Sequence, residues 1–224
     1  MSGRSVTYAV DLIMCIDGTG SMGHLIDEVK SSALKFYEKV SAKMQEKSKK
    51  IDQLRAKVIV FRDYYEDPAD MVMQCSTFFN LPDQATEFSS FISTIEADGG
   101  GDEPENGLEA VALALKSAWT KGDFNRQRYV TIVYTDASAH PLETSKSKPS
   151  YYPQDIPKTI DALTDYWQEI PVSAKRLLLF APDAEPWTMM GSNWNNAIHY
   201  VSTAGNGLED VEMDQILDAI ANSV

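Results

Sequence analysis

Residues 8–23 constrain this chain more than any other stretch, because they carry a strand, a glycine loop and a helix start in direct succession. Tyr8-Ala9-Val10-Asp11-Leu12-Ile13-Met14-Cys15-Ile16 is a mostly apolar run, and Asp17-Gly18-Thr19-Gly20-Ser21 follows at once. Apolar residues at 22, 25, 26, 29, 33, 36, 40 and 44 then keep helical spacing, which predicts one amphipathic helix over 22–48. Lys47, Lys49 and Lys50 crowd its end, where cations complement the helix dipole. A strand that turns through glycines into a helix is the opening unit of a parallel α/β sheet.

The rest of the chain continues that alternation. A second strand is expected at Lys57-Val58-Ile59-Val60-Phe61 and a third over 71–79. The link between them, 62–70 with Pro68, is too short for a helical crossover, so strand three should pair antiparallel at the sheet edge. Helices are predicted over 85–97 and 105–120, the latter with Pro104 in its first turn, where a missing N–H costs nothing. A strand over 128–135 runs into Asp136, and the Pro- and Ser-rich residues 137–157 read as loop. A helix, a strand (176–181), a short helix, a strand (198–201) and a final helix (208–221) complete the pattern. With 224 residues, no internal repeat and no linker, the expectation is one α/β domain over 1–224, mostly parallel, with helices on both faces.

In an extended loop, side chains at i, i+2 and i+4 point the same way, so Asp17, Thr19 and Ser21 should converge. One carboxylate and two hydroxyls suit a hard cation: Mg²⁺ first, with Mn²⁺ or Ca²⁺ as alternatives. Mg²⁺ takes oxygens at roughly 2.0–2.1 Å and keeps some of its waters. Asp136 repeats the pattern of Asp17, an apolar strand followed by an aspartate. Ligands of open α/β sheets bind beyond the carboxyl ends of strands where strand order reverses, and the two aspartates would meet there. The third acidic element is Asp98-Gly99-Gly100-Gly101-Asp102-Glu103-Pro104-Glu105. Asp102 is its candidate ligand, Glu105 the second choice; a bare helix-start acid is the competing reading of Asp102. For Ser21 the competing reading is a helix cap.

Gly18-Thr19-Gly20-Ser21-Met22-Gly23 is also formally G-x-G-x-x-G, a dinucleotide fingerprint. An enzyme using the Asp17–Gly23 loop, metal- or nucleotide-dependent, is therefore the alternative function. Against it, Asp17 sets a carboxylate where a pyrophosphate wants backbone N–H groups. The ribose-binding acid expected about 20 residues on is also missing, since Asp63 lies about twice that far along. No catalytic constellation emerges. His24, His140 and His199 are scattered and lack zinc spacing, with His24 one turn into the first helix.

The formal charge of −13 argues against nucleic acid or an anionic membrane as partner. No signal-peptide pattern occurs and no apolar run approaches the ~20 residues of a membrane span. Cys15 and Cys75 lie in apolar strand-like runs and are expected as buried free thiols, which makes the cytoplasm the default compartment. Trp187, Trp194, Tyr151 and Tyr152 fall in loops on the site's side of the sheet, as loop anchors or as partner contacts. Lys146 and Lys148 lie in the loop beyond Asp136, solvated or steering an acidic partner.

These residues together resemble the von Willebrand factor A family, whose metal-ion-dependent adhesion site uses Asp-x-Ser-x-Ser, a second-loop Thr and an Asp after strand four. Asp17-x-Thr19-x-Ser21 and Asp136 match the first and third loops. The second loop departs, with Gly100-Gly101-Asp102 where integrin-like members have Gly-Gly-Thr. That glycine-rich acidic form, with Phe61-Arg62-Asp63-Tyr64 after strand two, is similar to intracellular members, including those linked to alpha-kinases. The resemblance implies a Rossmann-like six-stranded sheet of order 3-2-1-4-5-6 with strand three antiparallel. It further implies a binding rather than catalytic role, with a metal site of Asp17, Thr19, Ser21, Asp102 and Asp136. The partner would be a protein presenting an Asp or Glu to the cation; the oligomeric state is not indicated.

Overall fold

The computed structural model describes residues 6–46, 50–101, 103–144 and 147–202. Seven strands form one sheet: β1 (Tyr8–Asp17), β2 (Ile51–Phe61), β3 (Met73–Cys75), β4 (Phe79–Leu81), β5 (Arg126–Tyr134), β6 (Lys175–Pro182) and β7 (Ala197–Ser202). Their order is β3-β2-β1-β5-β6-β7, with β4 also paired to β2. Strands β2, β1, β5, β6 and β7 run parallel, while β3 and β4 are antiparallel to β2. This is the Rossmann-like sheet the family resemblance implies, with seven strands among the described residues rather than six. Strand order reverses between β1 and β5, so the crevice beyond their carboxyl ends is where a ligand site belongs.

Alternation along the central strands builds two cores. Val10, Leu12, Met14 and Ile16 of β1 face one side, where α1 (Ile26–Glu46) packs Val29, Ala33, Val40 and Met44 and α2 (Ala85–Ser93) packs Phe88 and Ile92. Ile13 and Cys15 face the other, covered by α3 (Gly107–Leu115), α4 (Ile160–Glu169) and α5 (Trp187–Asn193). Burial on both faces explains why these strands read as continuous apolar runs rather than alternating ones.

Several elements differ from expectation, each for a local reason. The predicted third strand is two strands, because three residues (76–78) sit opposite two of β2 between the pairs Ile59↔Cys75 and Ala56↔Phe79. At that irregularity Ser76 Oγ accepts the Val58 N–H at 2.9 Å. Cys75 lies on this edge and is exposed, whereas Cys15 is buried as expected. The first helix is preceded by a separate 3-10 turn, Gly20–His24, and α1 proper starts at Ile26. Helix α2 stops at Ser93, and α3 spans 107–115 rather than 105–120, which leaves Pro104 before the helix. Glu105 is drawn out of α3 by a parallel bridge to Ala139. The expected end of the first helix at 47–48, the lysines Lys47 and Lys49, and the final helix over 208–221 lie outside the described residues.

Candidate metal centre

Three loops meet beyond the carboxyl ends of β1 and β5. Asp17 is fully buried. Its Oδ1 accepts the Thr19 N–H at 2.9 Å and the Thr19 hydroxyl at 2.6 Å, and its Oδ2 accepts the Thr135 hydroxyl at 2.6 Å. Thr19 Oγ1 lies 3.1 Å from Ser21 Oγ, and the Ser21 hydroxyl donates to Asp136 Oδ1 at 3.0 Å. The convergence expected of Asp17, Thr19, Ser21 and Asp136 is thus present, by a different route. Thr19 is extended, but Ser21 sits in the 3-10 turn rather than in continued extended chain.

Each hydroxyl spends its proton on a carboxylate, which leaves oxygen lone pairs on Thr19 and Ser21 uncommitted. Asp17 has both oxygens engaged and lies deepest, while Ser21 is exposed. Among the described residues, no three His, Cys, Asp or Glu side chains form a metal cluster by themselves. The oxygens available to a cation here include the two hydroxyls. Two serine/threonine oxygens beside carboxylates are the donor set a hard cation accepts, so the residues fit one.

The charge distribution points the same way. Burial pushes the Asp17 carboxyl up to about 6 against the pull of its Thr135 and Thr19 hydrogen bonds, with Asp136 adding repulsion. Glu105 is pushed up to about 8, first by burial and then by Asp17, Asp63, Asp67 and Asp136. Without a counter-ion this corner of the molecule holds its negative charge at a cost.

The second loop is fastened by groups the sequence reading left without a role. Arg62 is buried; its Nε donates to Gly18 O (2.9 Å) and Asp98 O (2.7 Å), Nη1 to Met71 O (2.6 Å) and Nη2 to Glu96 O (2.7 Å). One guanidinium therefore ties the first loop to the approach of the glycine turn. Gly20 N–H donates to Gly99 O at 3.0 Å, and Asp67 accepts Gly100 N–H. Gly99 and Gly100 have φ of +74° and +73°, the left-handed region that favours glycine. A Cβ on Gly100 would stand 2.8 Å from Thr19 Cγ2 and 2.9 Å from Glu105 Oε1, so the missing side chain makes room at the site. Asp102 lies outside the described residues.

The neighbouring residues are mostly supports. Asp63 sits behind the site, accepting Tyr65 N–H at 2.8 Å with His140 Nε2 at 3.3 Å. Trp187 and Trp194 are buried; Trp187 Nε1 donates to Ala137 O at 3.0 Å and so anchors the residue next to Asp136. Tyr152 is buried with its hydroxyl on Glu109 Oε1 at 2.6 Å, which pins the loop after Asp136 onto α3. Of the four aromatics only Tyr151, 41% exposed, stands open to a partner. His24 is at the surface, with Nδ1 3.0 Å from Ser21 O. Lys148 stacks over Tyr152 at 4.0 Å; Lys146 is outside the described residues. Thr135 and Arg62 were missed as site residues. Thr135 was visible only as the hydroxyl preceding Asp136, and Arg62 as an arginine at a strand end.

The comparisons with known proteins agree with this architecture. A family model for the von Willebrand factor A domain matches residues 11–149. The chain is 32% identical over 159 residues to an alpha-protein kinase, vwkA, of Dictyostelium discoideum, covering 70% of this chain and 23% of that protein. The chain thus spans under a quarter of that relative's length. Two crystal structures of the pilus adhesin SpaC from Lactobacillus rhamnosus GG share the fold, each with a TM-score of 0.52. Their identities are 12% and 11%, over 99% of this chain and 31% and 30% of theirs. With the family model spanning well over half of the residues, the chain belongs to the von Willebrand factor A domain family.

Proposed function

We propose that this domain is a cation-dependent protein-binding module that holds Mg²⁺, or Mn²⁺ or Ca²⁺ in its place, and takes an acidic side chain of a protein partner. Family membership supports the protein-interaction role. The observation that carries the metal reading is the hydroxyl relay. Thr19 and Ser21 give their protons to Asp17 and Asp136, and their oxygens stay available. Asp17 orients Thr19 from below, Thr135 holds Asp17, and Ser21 brings the relay to the surface beside Asp136. A bound divalent cation would supply positive charge on an otherwise acidic rim, enough to accept a partner Asp or Glu.

The enzymatic alternative gains no support from the same loop. A phosphate cradle needs free backbone N–H groups. Here the Gly18, Thr19, Gly20 and Met22 N–H groups donate to Phe61 O, Asp17 Oδ1, Gly99 O and Thr19 O. No helix among the described residues is long and apolar enough to cross a membrane. Two free cysteines fit a reducing compartment, the cytoplasm.

The test is a pull-down from native extract with immobilised domain, in Mg²⁺ and in chelator, beside Ser21→Ala. A partner retained only in Mg²⁺ and lost with Ser21→Ala is the expected result. Chelator-insensitive capture contradicts it, and micromolar binding of NAD, ATP or GTP to metal-free protein would favour the enzyme.

A further inference from the structure

We infer that Glu105 is the second loop's metal ligand, completing a set with Thr19, Ser21 and Asp136. The inference rests on the metal reading above and assigns a residue that reading leaves open. Glu105 is only 4% exposed, and its Oε2 has no hydrogen-bond partner among the described residues. A buried carboxylate oxygen without a donor is costly, and folded chains rarely leave one.

The chain shows elsewhere how it satisfies a buried acid. Asp11 receives Arg55 and Thr120 on its two oxygens, and Glu109 receives the Tyr152 hydroxyl on Oε1 although its Oε2, like that of Glu105, has no partner among the described residues. Among the described residues no side-chain donor reaches either oxygen of Glu105, whereas each of those acids has at least one. The nearby arginine, Arg62, is spent on four carbonyls.

Placement favours ligation over a structural role. Helix α3 begins at Gly107, so Glu105 stands outside its first turn and does not serve as a helix-start acid. Its backbone is tied on both sides to the loop that follows Asp136: its N–H donates to Ser138 O at 3.0 Å, and its carbonyl accepts His140 N–H at 2.8 Å. Glu105 Oε1 and the Thr19 side chain both approach within 3 Å of the same point above Gly100. Asp17 already accepts three hydrogen bonds and lies deepest, so the ligands nearest the opening are two carboxylates and two hydroxyls. Two carboxylates also balance a divalent charge, so the chain holds the cation by itself, and a partner's Asp or Glu is drawn by an open coordination position rather than by net positive charge.

The test is calorimetric titration of Mg²⁺ and Mn²⁺ into chelator-stripped protein, with melting temperatures, for wild type, Glu105→Gln, Glu105→Asp and Asp136→Asn. Glu105→Gln keeps the shape and removes the charge. It should weaken cation binding at least tenfold while raising the melting temperature of the chelated protein, a pair of opposite effects that a merely structural residue does not produce. Glu105→Asp keeps the charge but withdraws it by one methylene, and should also weaken binding. Wild-type affinity in Glu105→Gln, or in Glu105→Asp should the first variant fail to fold, overturns the assignment. If Asp136→Asn alone loses the cation, the metal reading stands without Glu105. No binding by wild type overturns both.

Discussion

Stripped of cations, the protein should lose stability as pH rises from 5 to 8. The groups responsible are Asp17, raised from 3.8 to about 6, and Glu105, raised from 4.5 to about 8. In both the folded state holds the proton more tightly than the unfolded chain. The stabilisation is therefore complete below the unfolded values and disappears as pH climbs through the folded ones. Moving Asp17 from 3.8 to about 6 corresponds to on the order of 3 kcal/mol. Glu105 alone would give more, but the two acids repel each other, and losing one proton alters the other's cost, so their contributions do not add. We expect a net fall of about 3 kcal/mol, roughly 6–12 °C in melting temperature for a domain of this size. The assay is thermal unfolding in chelator at pH 5, 6, 7 and 8, repeated for Glu105→Gln and again with saturating Mg²⁺. Glu105→Gln should flatten the upper half of the profile. Mg²⁺ should restore stability most at pH 8, because cation binding requires deprotonated carboxylates. A profile that rises with pH in chelator, or one unchanged by Glu105→Gln, refutes the reasoning.

Three further substitutions and one control probe the supports. Gly100→Ala should cost about 1–3 kcal/mol and weaken cation binding, from a residue strained at φ +73° whose Cβ strikes Thr19; Gly23→Ala, with open space around it, should do neither. Urea unfolding and Mg²⁺ titration of both variants check the contrast. Trp187→Ala should cost about 3–5 kcal/mol by cavity formation and by freeing Ala137 next to Asp136; a loss below about 1 kcal/mol by urea unfolding contradicts the anchoring role. Tyr152→Phe leaves Glu109 Oε1 without its donor and should cost about 1–3 kcal/mol in the same assay.

The architecture was legible because its signals are long and redundant. Runs such as 8–16 and 57–61 are too apolar and too short for anything but buried strands, and the 22–44 periodicity fixes a helix between them. The division of the edge strand at Ser76 was not legible, because it depends on a one-residue mismatch with β2 that no local pattern encodes. Helix α3 was overextended at both ends: propensity continues through 105–106 and 116–120, but a bridge to Ala139 claims Glu105. At the site, types and spacing exposed Asp17, Thr19, Ser21 and Asp136, since each follows a strand end. Arg62 and Thr135 stayed hidden because their roles are contacts across 36 and 118 residues, with Asp98 and Asp17. The prominence of Glu105, second choice to Asp102 in the sequence, likewise appears only when the described residues around it are seen to lack a donor for its Oε2.

The most direct measurement is calorimetric titration of Mg²⁺ into chelator-stripped wild type, Ser21→Ala and Asp136→Asn. Ser21 is exposed, and Asp136→Asn keeps the shape of a buried side chain and its acceptor for the Ser21 hydroxyl, so neither substitution should unfold the domain. Saturable one-site binding by wild type, weakened at least tenfold in each variant, is the predicted result. Bound cation at a hundredfold excess over its dissociation constant should also stabilise wild type by ~2.7 kcal/mol, and the variants by less at the same concentration. Identical isotherms in all three proteins, or none in wild type, would contradict the claim that the Asp17–Thr19–Ser21–Asp136 relay is a cation site.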